Sequence, residues 1–229
     1  MKYPYDLHIH SVLSPCADIL MTPNNILNMA MLKGLKIIAV TDHNSTLQLL
    51  MLSELAKSYD FLFIPGVEIT TRENHHILVY FRNIDDAVKF ESILNQYRLP
   101  LVHPYGLASL TDVEDLVIET LPDISSEALN ISYAELVSRL IPYQHILILA
   151  HVDRPNQTIL EHLHQYQFDG IELTDCDNLN LLQGGLSQFT ILYNSDAHDL
   201  LSISEPTLHN TIELESLSID AFFRYFHHE

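Results

Sequence analysis

Apolar and polar positions along this chain follow two periods, and the switches between them divide it into strands and helices. Near the N-terminus Leu7 and Ile9 interleave with Asp6, His8 and His10, the period of a strand with one apolar and one polar face, and residues 5–11 are predicted as that strand. Thr22 before Pro23 opens a helix, with Ile26, Leu27, Met29 and Ala30 at helical spacing and a stop at Gly34. Residues 35–40 form a nearly continuous apolar run ending at Thr41-Asp42-His43, as buried parallel strands do. A helix is expected over residues 46–58, strands over 61–64, 67–70 and 76–81, and an amphipathic helix over 85–97. Residues 99–130 show no clear period, and Asp112, Glu114, Asp115 and Glu119 mark part of them as an acidic, solvated surface with room for a short helix. Ser132 caps a helix running to Leu140, and residues 146–150 are a buried strand that stops at His151. Residues 159–166 read as a helix, 170–173 and 192–194 as strands, and 219–226 as a terminal helix. Strands alternating with helices predict an α/β fold built on a parallel sheet, as a single domain over residues 1–229 with a variable segment at 99–130.

Composition narrows the setting. Of 229 residues, 47% are hydrophobic and 18% charged, which suits an ordered globular chain with a sizeable core. Two cysteines, Cys16 and Cys176, make no disulfide framework, and the N-terminus lacks the apolar core of a signal peptide; a reducing, cytoplasmic location is expected. Apolar stretches are too short to span a bilayer. A formal charge of −19 argues against a broad grip on duplex DNA or on an anionic membrane, because counterion release needs clustered Lys and Arg. It leaves anionic substrates open, since buried divalent cations reverse the local field. Fourteen histidines in so acidic a chain are the oddest feature of its composition.

Several of those histidines fall at or just beyond the carboxyl ends of the apolar strands, together with acidic residues: His8, His10, His43, Glu68, His151, Asp196 and His198. In parallel α/β architectures that is where ligands bind, so these side chains are expected to converge. His76 starts its strand instead, which fits if that strand runs antiparallel to its neighbour. The donors outnumber what one zinc ion needs, and close-spaced cysteines are missing. Mixed imidazole and carboxylate donors favour a multinuclear site of zinc, manganese or iron, a device for phosphoryl hydrolysis, with Glu68 placed to bridge two ions.

His8-Ile9-His10, Thr41-Asp42-His43, Gly66-Val67-Glu68-Ile69-Thr70, His76-Ile77-Leu78-Val79-Tyr80-Phe81, Ala150-His151 and Asn194-Ser195-Asp196-Ala197-His198 closely resemble, in this order, the motifs of the PHP (polymerase and histidinol phosphatase) family. The resemblance runs from Tyr5 to about Pro206. It implies a distorted (β/α)7, TIM-like barrel with a trinuclear metal site at the C-terminal end of the strands. The stretch from His10 to Asn25 looks like the small stand-alone phosphoesterases of the family, among them a nucleoside 3′,5′-bisphosphate phosphatase and a 5′-to-3′ exoribonuclease. Three divalent ions are thereby implied: one on His8, His10, Glu68 and Asp196, a second on Glu68, His76 and His151, and a third on Asp18, His43 and His198. Cys16 is a rival to Asp18, which is preferred because a thiolate is softer than manganese or iron favours. Glu68, Asp196, His198 and Arg154 are the expected catalytic residues, with Arg154 and Arg72 on the substrate phosphate. Asp6 and Asp42 are read as orienting the histidines, and His75 as solvent-facing or touching substrate. His145, His162, His164 and His209 are read as structural, and His103 as a loop residue near a lid. The expected substrate is a nucleotide, a short single-stranded nucleic acid or another small phosphate ester, without duplex DNA or membrane. Two rivals stay open: a histidinol-phosphate-type phosphomonoesterase, and a metal-binding regulatory protein that has lost catalysis.

Overall fold

The structure, a computed structural model, describes residues 1–100, 106–154, 166–178 and 189–227. In chain order its elements are β1 (Lys2–Asp6), α1 (Pro23–Lys33), β2 (Ile37–Ile38), α2 (Leu49–Ala56), β3 (Leu62–Phe63), β4 (Gly66–Thr70), β5 (His76–Phe81), α3 (Ile84–Tyr97), β6 (Ala108–Thr111), β7 (Val117–Leu121), α4 (Tyr133–Leu140), β8 (His145–Leu149), β9 (Gly170–Leu173), β10 (Thr190–Tyr193), β11 (Thr211–Glu213) and α5 (Ile219–His227). One sheet has the order β11-β1-β2-β3, a second β10-β9-β8-β5-β4, and β6 pairs with β7 alone. β5 runs antiparallel to both β4 and β8, as the position of His76 at its start required.

The α/β layering is as expected, but the described ladders do not close into a continuous (β/α)7 barrel. The two large sheets touch through two isolated parallel bridges, Ile9 with Ala197 and His43 with Glu68. The reason lies where the strands end. β1 leaves its ladder at Asp6 rather than running to Ser11, because backbone N–H groups beyond it donate to side chains: Leu7 to Asn194 Oδ1 (2.9 Å), His8 to Asp6 Oδ1 (3.4 Å) and Ser11 to Asp42 Oδ1 (2.7 Å).

Alternation along the strands decides what faces what. Ile77, Val79, Phe81, Leu147, Leu149 and Ile171 pack against the apolar faces of α1 to α4. Their neighbours Leu78, Tyr80, Ile146, Ile148 and Leu192 instead meet Tyr5, Leu7, Ile37 and Ala39 of the other sheet, with Phe222, Phe223 and Phe226 of α5 completing that core. Glu68 lies between Val67 and Ile69, and Glu172 between Ile171 and Leu173, all four on the helix-facing side. Both carboxylates are therefore delivered to the opposite, inter-sheet face, fully buried.

Local signals explain most boundaries. α1 has Pro23 in its first turn and ends at Gly34, whose left-handed φ of 78° suits a residue without Cβ. Ser132 and Glu135 form a reciprocal capping box on α4. α2 begins later than expected because Thr46 N donates to Glu91 (2.6 Å) and its hydroxyl to the Ala87 carbonyl (2.9 Å). The segment with no readable period contains the β6–β7 hairpin rather than a short helix. The helix expected over residues 159–166 lies largely outside the described residues, as do His103, His162 and His164. Among the described residues no helix is long and apolar enough to cross a membrane.

Gly66 is where β4 passes closest to its neighbours: a Cβ there would lie 2.8 Å from Thr41 Cγ2 and 3.0 Å from the Tyr80 ring. Gly66→Ala is expected to destabilise the fold by about 1–3 kcal/mol through overpacking, seen as a lower urea midpoint at unchanged slope.

Candidate metal centre

The inter-sheet core ends in a polar cluster at the carboxyl ends of the strands. His8 and His10, fully buried, arrive just beyond β1, and His43 just beyond β2. Glu68 comes from β4, His76 from the start of β5, His151 from the end of β8, and Asp196 and His198 from beyond β10. His151 and Asp196 hold left-handed backbone, φ 32° and 51°. Non-glycine residues adopt it at a cost of about 1–3 kcal/mol, and such strain gathers at functional sites.

Glu68 is the hub. One of its oxygens, Oε1, lies 2.8 Å from His76 Nδ1 and 3.2 Å from His151 Nε2. The other, Oε2, lies 2.8 Å from His43 Nδ1, 3.3 Å from His10 Nε2 and 3.4 Å from His8 Nε2. Asp196 Oδ1 is 3.0 Å from His10 Nε2 and 3.2 Å from His8 Nε2. Within this cluster, among the described residues, donor atoms spaced for an ion occur in three overlapping groups: His8, His10, Glu68 and Asp196; His43, Glu68 and His76; and His10, His43 and His198; a fourth group, Asp175, Cys176 and Asp177, is exposed and separate. His43 Nδ1 and Glu68 Oε2, though close, make no hydrogen bond, and both are buried. Two buried acceptor-capable atoms this close without hydrogen-bond geometry suit neighbouring ligands of one cation.

An outer layer holds these donors. Both oxygens of Glu172 lie 2.9 Å from His8 Nδ1, and the same carboxylate accepts from His151 N (2.8 Å) and Asn194 Nδ2 (2.7 Å). Asp42 accepts from Ser11 and from the hydroxyl of Ser14, which lies 3.1 Å from His10 Nδ1. Asp6 takes the Ser195 hydroxyl (2.6 Å) and Ser204 N (2.8 Å), so it fixes the Asp196 loop more than any imidazole. Asp42 thus reaches an imidazole through the Ser14 hydroxyl. Glu172 is the functional residue that sequence reasoning missed; a lone acid between Ile171 and Leu173 in a buried strand was the available signal.

Burial opposes a proton on His8 and His10, but the facing carboxylates outweigh it: His8 is raised well above the ordinary histidine value, and His10 to about 9. Burial pushes the carboxyls of Glu68 and Asp196 upward, yet the histidines around them hold both well below the usual range. Burial lowers His43 to about 4 and also lowers His198.

The remaining expected residues lie further out. Asp18 is exposed and accepts from Leu20 N (2.8 Å); only its backbone reaches the cluster, its N–H donating to the His198 carbonyl (2.8 Å). Cys16 is exposed too, its thiol pushed up to about 11 by partial burial and nearby carboxylates. Neither belongs to a donor group among the described residues. Arg154, 45% exposed, reaches the rim and pairs with Asp196 Oδ2. Arg72 points to the start of α4, near Glu135 (3.4 Å) and Asn130 (3.5 Å). His75 is buried edge-on against Tyr166 rather than solvent-facing. His145 lies 2.9 Å from the Tyr143 carbonyl and His209 packs on Tyr193, consistent with structural roles.

The profile of the PHP domain family matches residues 6–197. A 5′-3′ exoribonuclease, Rnm, from Salmonella typhimurium is 40% identical over 86 residues, 36% of this chain and 28% of that relative. Among solved structures, the lesion-specific endonuclease Q from Pyrococcus furiosus aligns with a TM-score of 0.69 at 20% identity, over 98% of this chain and 55% of its own. The same enzyme type in complex with a 27-mer duplex carrying an abasic lesion aligns equally, with a TM-score of 0.69 over 57% of that chain. A protein from Bifidobacterium adolescentis, provisionally assigned as a metal-dependent phosphoesterase, gives a TM-score of 0.61 at 15% identity, over 97% and 94% of the two chains. This chain thus spans little more than half of endonuclease Q, and the likeness at these identities is one of fold.

Because His10 must shed a proton held to about pH 9 before its lone pair can serve an ion, and His8 on the same ion is raised as well, retention of metal should weaken as pH falls below that value, by at least roughly tenfold in affinity per unit. Elemental analysis after dialysis at stepped pH checks this, and pH-independent retention would contradict it. Glu172→Gln, which weakens the hold on His8, should cost about 10- to 100-fold in metal affinity by chelator competition.

Proposed function

The chain belongs to the PHP domain family, and from that premise we propose that it is a metal-dependent phosphoesterase, a hydrolase of phosphate esters, working through three divalent ions of zinc, manganese or iron. The observation that carries this reading is the approach of His43 Nδ1 to Glu68 Oε2 without a hydrogen bond, inside a buried shell of imidazoles and carboxylates. His8, His10, Glu68 and Asp196 would hold one ion, and Glu68, His76 and His151 a second. His43 and His198 would hold the third, with Asp18 reaching it only if its loop turns inward. Bound ions supply Lewis-acid charge to the phosphate and acidify a water for attack at neutral pH.

The chain's own residues set up that chemistry. Glu68 faces histidines with both oxygens, so one side chain ties two parts of the shell together. Asp196, held ionised, faces His8 and His10 with one oxygen and Arg154 with the other. Arg154 thereby stands at the solvent edge with its guanidinium available to fork onto an arriving phosphate, with Arg72 as a more distant second. His198 has Nδ1 2.9 Å from the Asp196 carbonyl, and as a donor there it keeps the Nε2 lone pair for a ligand or a proton.

For substrate we favour nucleotides or short oligonucleotides. The exoribonuclease relative and the endonuclease neighbours support this choice through their stated activities. Scarcity of cations, 11 Lys and Arg against 30 Asp and Glu, favours a second reading in which the substrate is a small phosphomonoester of the histidinol-phosphate kind. A fold neighbour holds a 27-mer duplex, so the expectation against duplex DNA rests on this chain's charge alone.

Elemental analysis of the purified protein, followed by a screen of nucleotides, bisphosphates, short oligonucleotides and amino-alcohol phosphates with the metal found, tests the proposal. A chelator should abolish turnover while much of the fold survives. Full phosphatase activity without bound transition metal would sink the reading. Arg154→Met is expected to lower kcat/KM by about 100-fold with metal content unchanged.

A further inference from the structure

We propose that Glu91 of α3 and Arg98, the residue that follows the helix, are positioning residues for the His43 side of the metal centre, acting through residues 44–46; the proposal rests on the metal-centre reading above. His43 belongs to two of the donor groups, one with His10 and His198 and one with Glu68 and His76. In the assignment above it holds the third ion, and its Nδ1 lies 2.8 Å from the Glu68 oxygen that faces the first.

The residue after it, Asn44, is buried in left-handed backbone with φ 54°, a conformation that persists only when its surroundings fix it. Asn44 N donates to the Glu68 carbonyl (2.8 Å), and its side chain accepts from Thr70 N (2.9 Å) and donates to the carbonyls of Ser125 (2.8 Å) and Glu127 (2.9 Å). Its own carbonyl accepts from Arg98 Nη2 at 2.8 Å. Arg98 also bonds Glu91 Oε1, while Glu91 Oε2 takes Thr46 N (2.6 Å) and the Ser45 hydroxyl (3.1 Å). The pair therefore grips the turn after His43 from both ends: Arg98 on Asn44, Glu91 on Ser45 and Thr46.

Stability alone accounts poorly for this arrangement. The two side chains are only 10% and 14% exposed, and Arg98 Nε is buried without a hydrogen-bond partner. Buried ion pairs of this kind are weak sources of folding energy compared with apolar packing. What the pair does hold is the backbone next to a proposed ligand, the role in which outer groups change metal affinity by about 10- to 100-fold.

The test is metal content, read independently of turnover. Arg98→Met and Glu91→Gln should each make retention of the ion that His43 helps to hold about 10- to 100-fold weaker in a chelator titration followed by elemental analysis. The ion on His8, His10, Glu68 and Asp196 should stay, and the far-UV circular dichroism should be unchanged. Arg98→Lys should restore part of the loss, since one ammonium replaces a fork that bonds two partners. The double variant should be no worse than the weaker single, because both act through one turn. Arg139→Met, whose arginine bonds the Tyr97 hydroxyl at 3.0 Å, serves as a control and should match wild type. Wild-type metal content and chelator resistance in both single variants would overturn the proposal. So would loss of all ions together with the helical signal in both. If Arg98→Met alone fails to fold, Glu91→Gln decides, because it keeps the shape of the side chain and removes the charge that holds Arg98. A wild-type chain that binds no ion would refute the metal-centre reading itself, and this proposal with it.

Discussion

Carboxylates packed without water are the constraint on which the rest of this molecule depends. Asp6, Asp42, Glu68, Glu172 and Asp196 are almost wholly buried. An isolated buried charge costs far more than a domain's net stability, so each must be matched by donors or by cations. Asp6 and Asp42 are matched by hydroxyls and backbone N–H groups, Glu172 by His8, His151 and Asn194. Glu68 is surrounded by imidazoles, and one of its oxygens is left without a hydrogen bond. That missing hydrogen bond, in a shell where His8 and His10 must otherwise keep protons to balance the carboxylates, is the physical reason to place ions at the centre.

Secondary structure meets this demand by stopping early. β1 and β2 leave their ladders at Asp6 and Ile38, and the following residues mix scattered backbone pairing with bonds to side chains, which brings His8, His10 and His43 inward. Left-handed backbone at Asn44, His151 and Asp196 turns the chain at the same level. Apolar alternation supplies the other half, since Val67 and Ile69, by packing on the helices, leave Glu68 no other direction.

Much of this was legible in the sequence because it is periodic. Alternation around His8 and His10, apolar runs that stop at His43 and His151, and His76 at the wrong end of its strand were enough to gather the shell and to require an antiparallel β5. What depended on pairing between distant segments was not legible. Glu172 acquires its role from β9 lying between β8 and β10, and β11, three residues long, exists as a strand through pairing with β1. Nothing in the local pattern singles out Glu91 or Arg98, which acquire their place from the turn after His43 laid against them. The β6–β7 hairpin escaped because Val117 and Ile118 are exposed apolar neighbours rather than one buried and one solvated position. Asp18 was chosen by motif, and motif spacing cannot say that its carboxylate turns back onto Leu20.

The two isolated bridges join the large sheets at Ile9 with Ala197 and at His43 with Glu68. Ile9 is flanked by His8 and His10, Ala197 by Asp196 and His198, and the other bridge consists of two shell residues outright. The seam between the halves of the molecule and the rim of the metal centre are thus the same few residues. An ion seated there would act as a rivet across that seam, and by mass action its binding would add to the stability of the folded pair of sheets. The fold's resistance to unfolding would then depend on how much metal the surroundings supply.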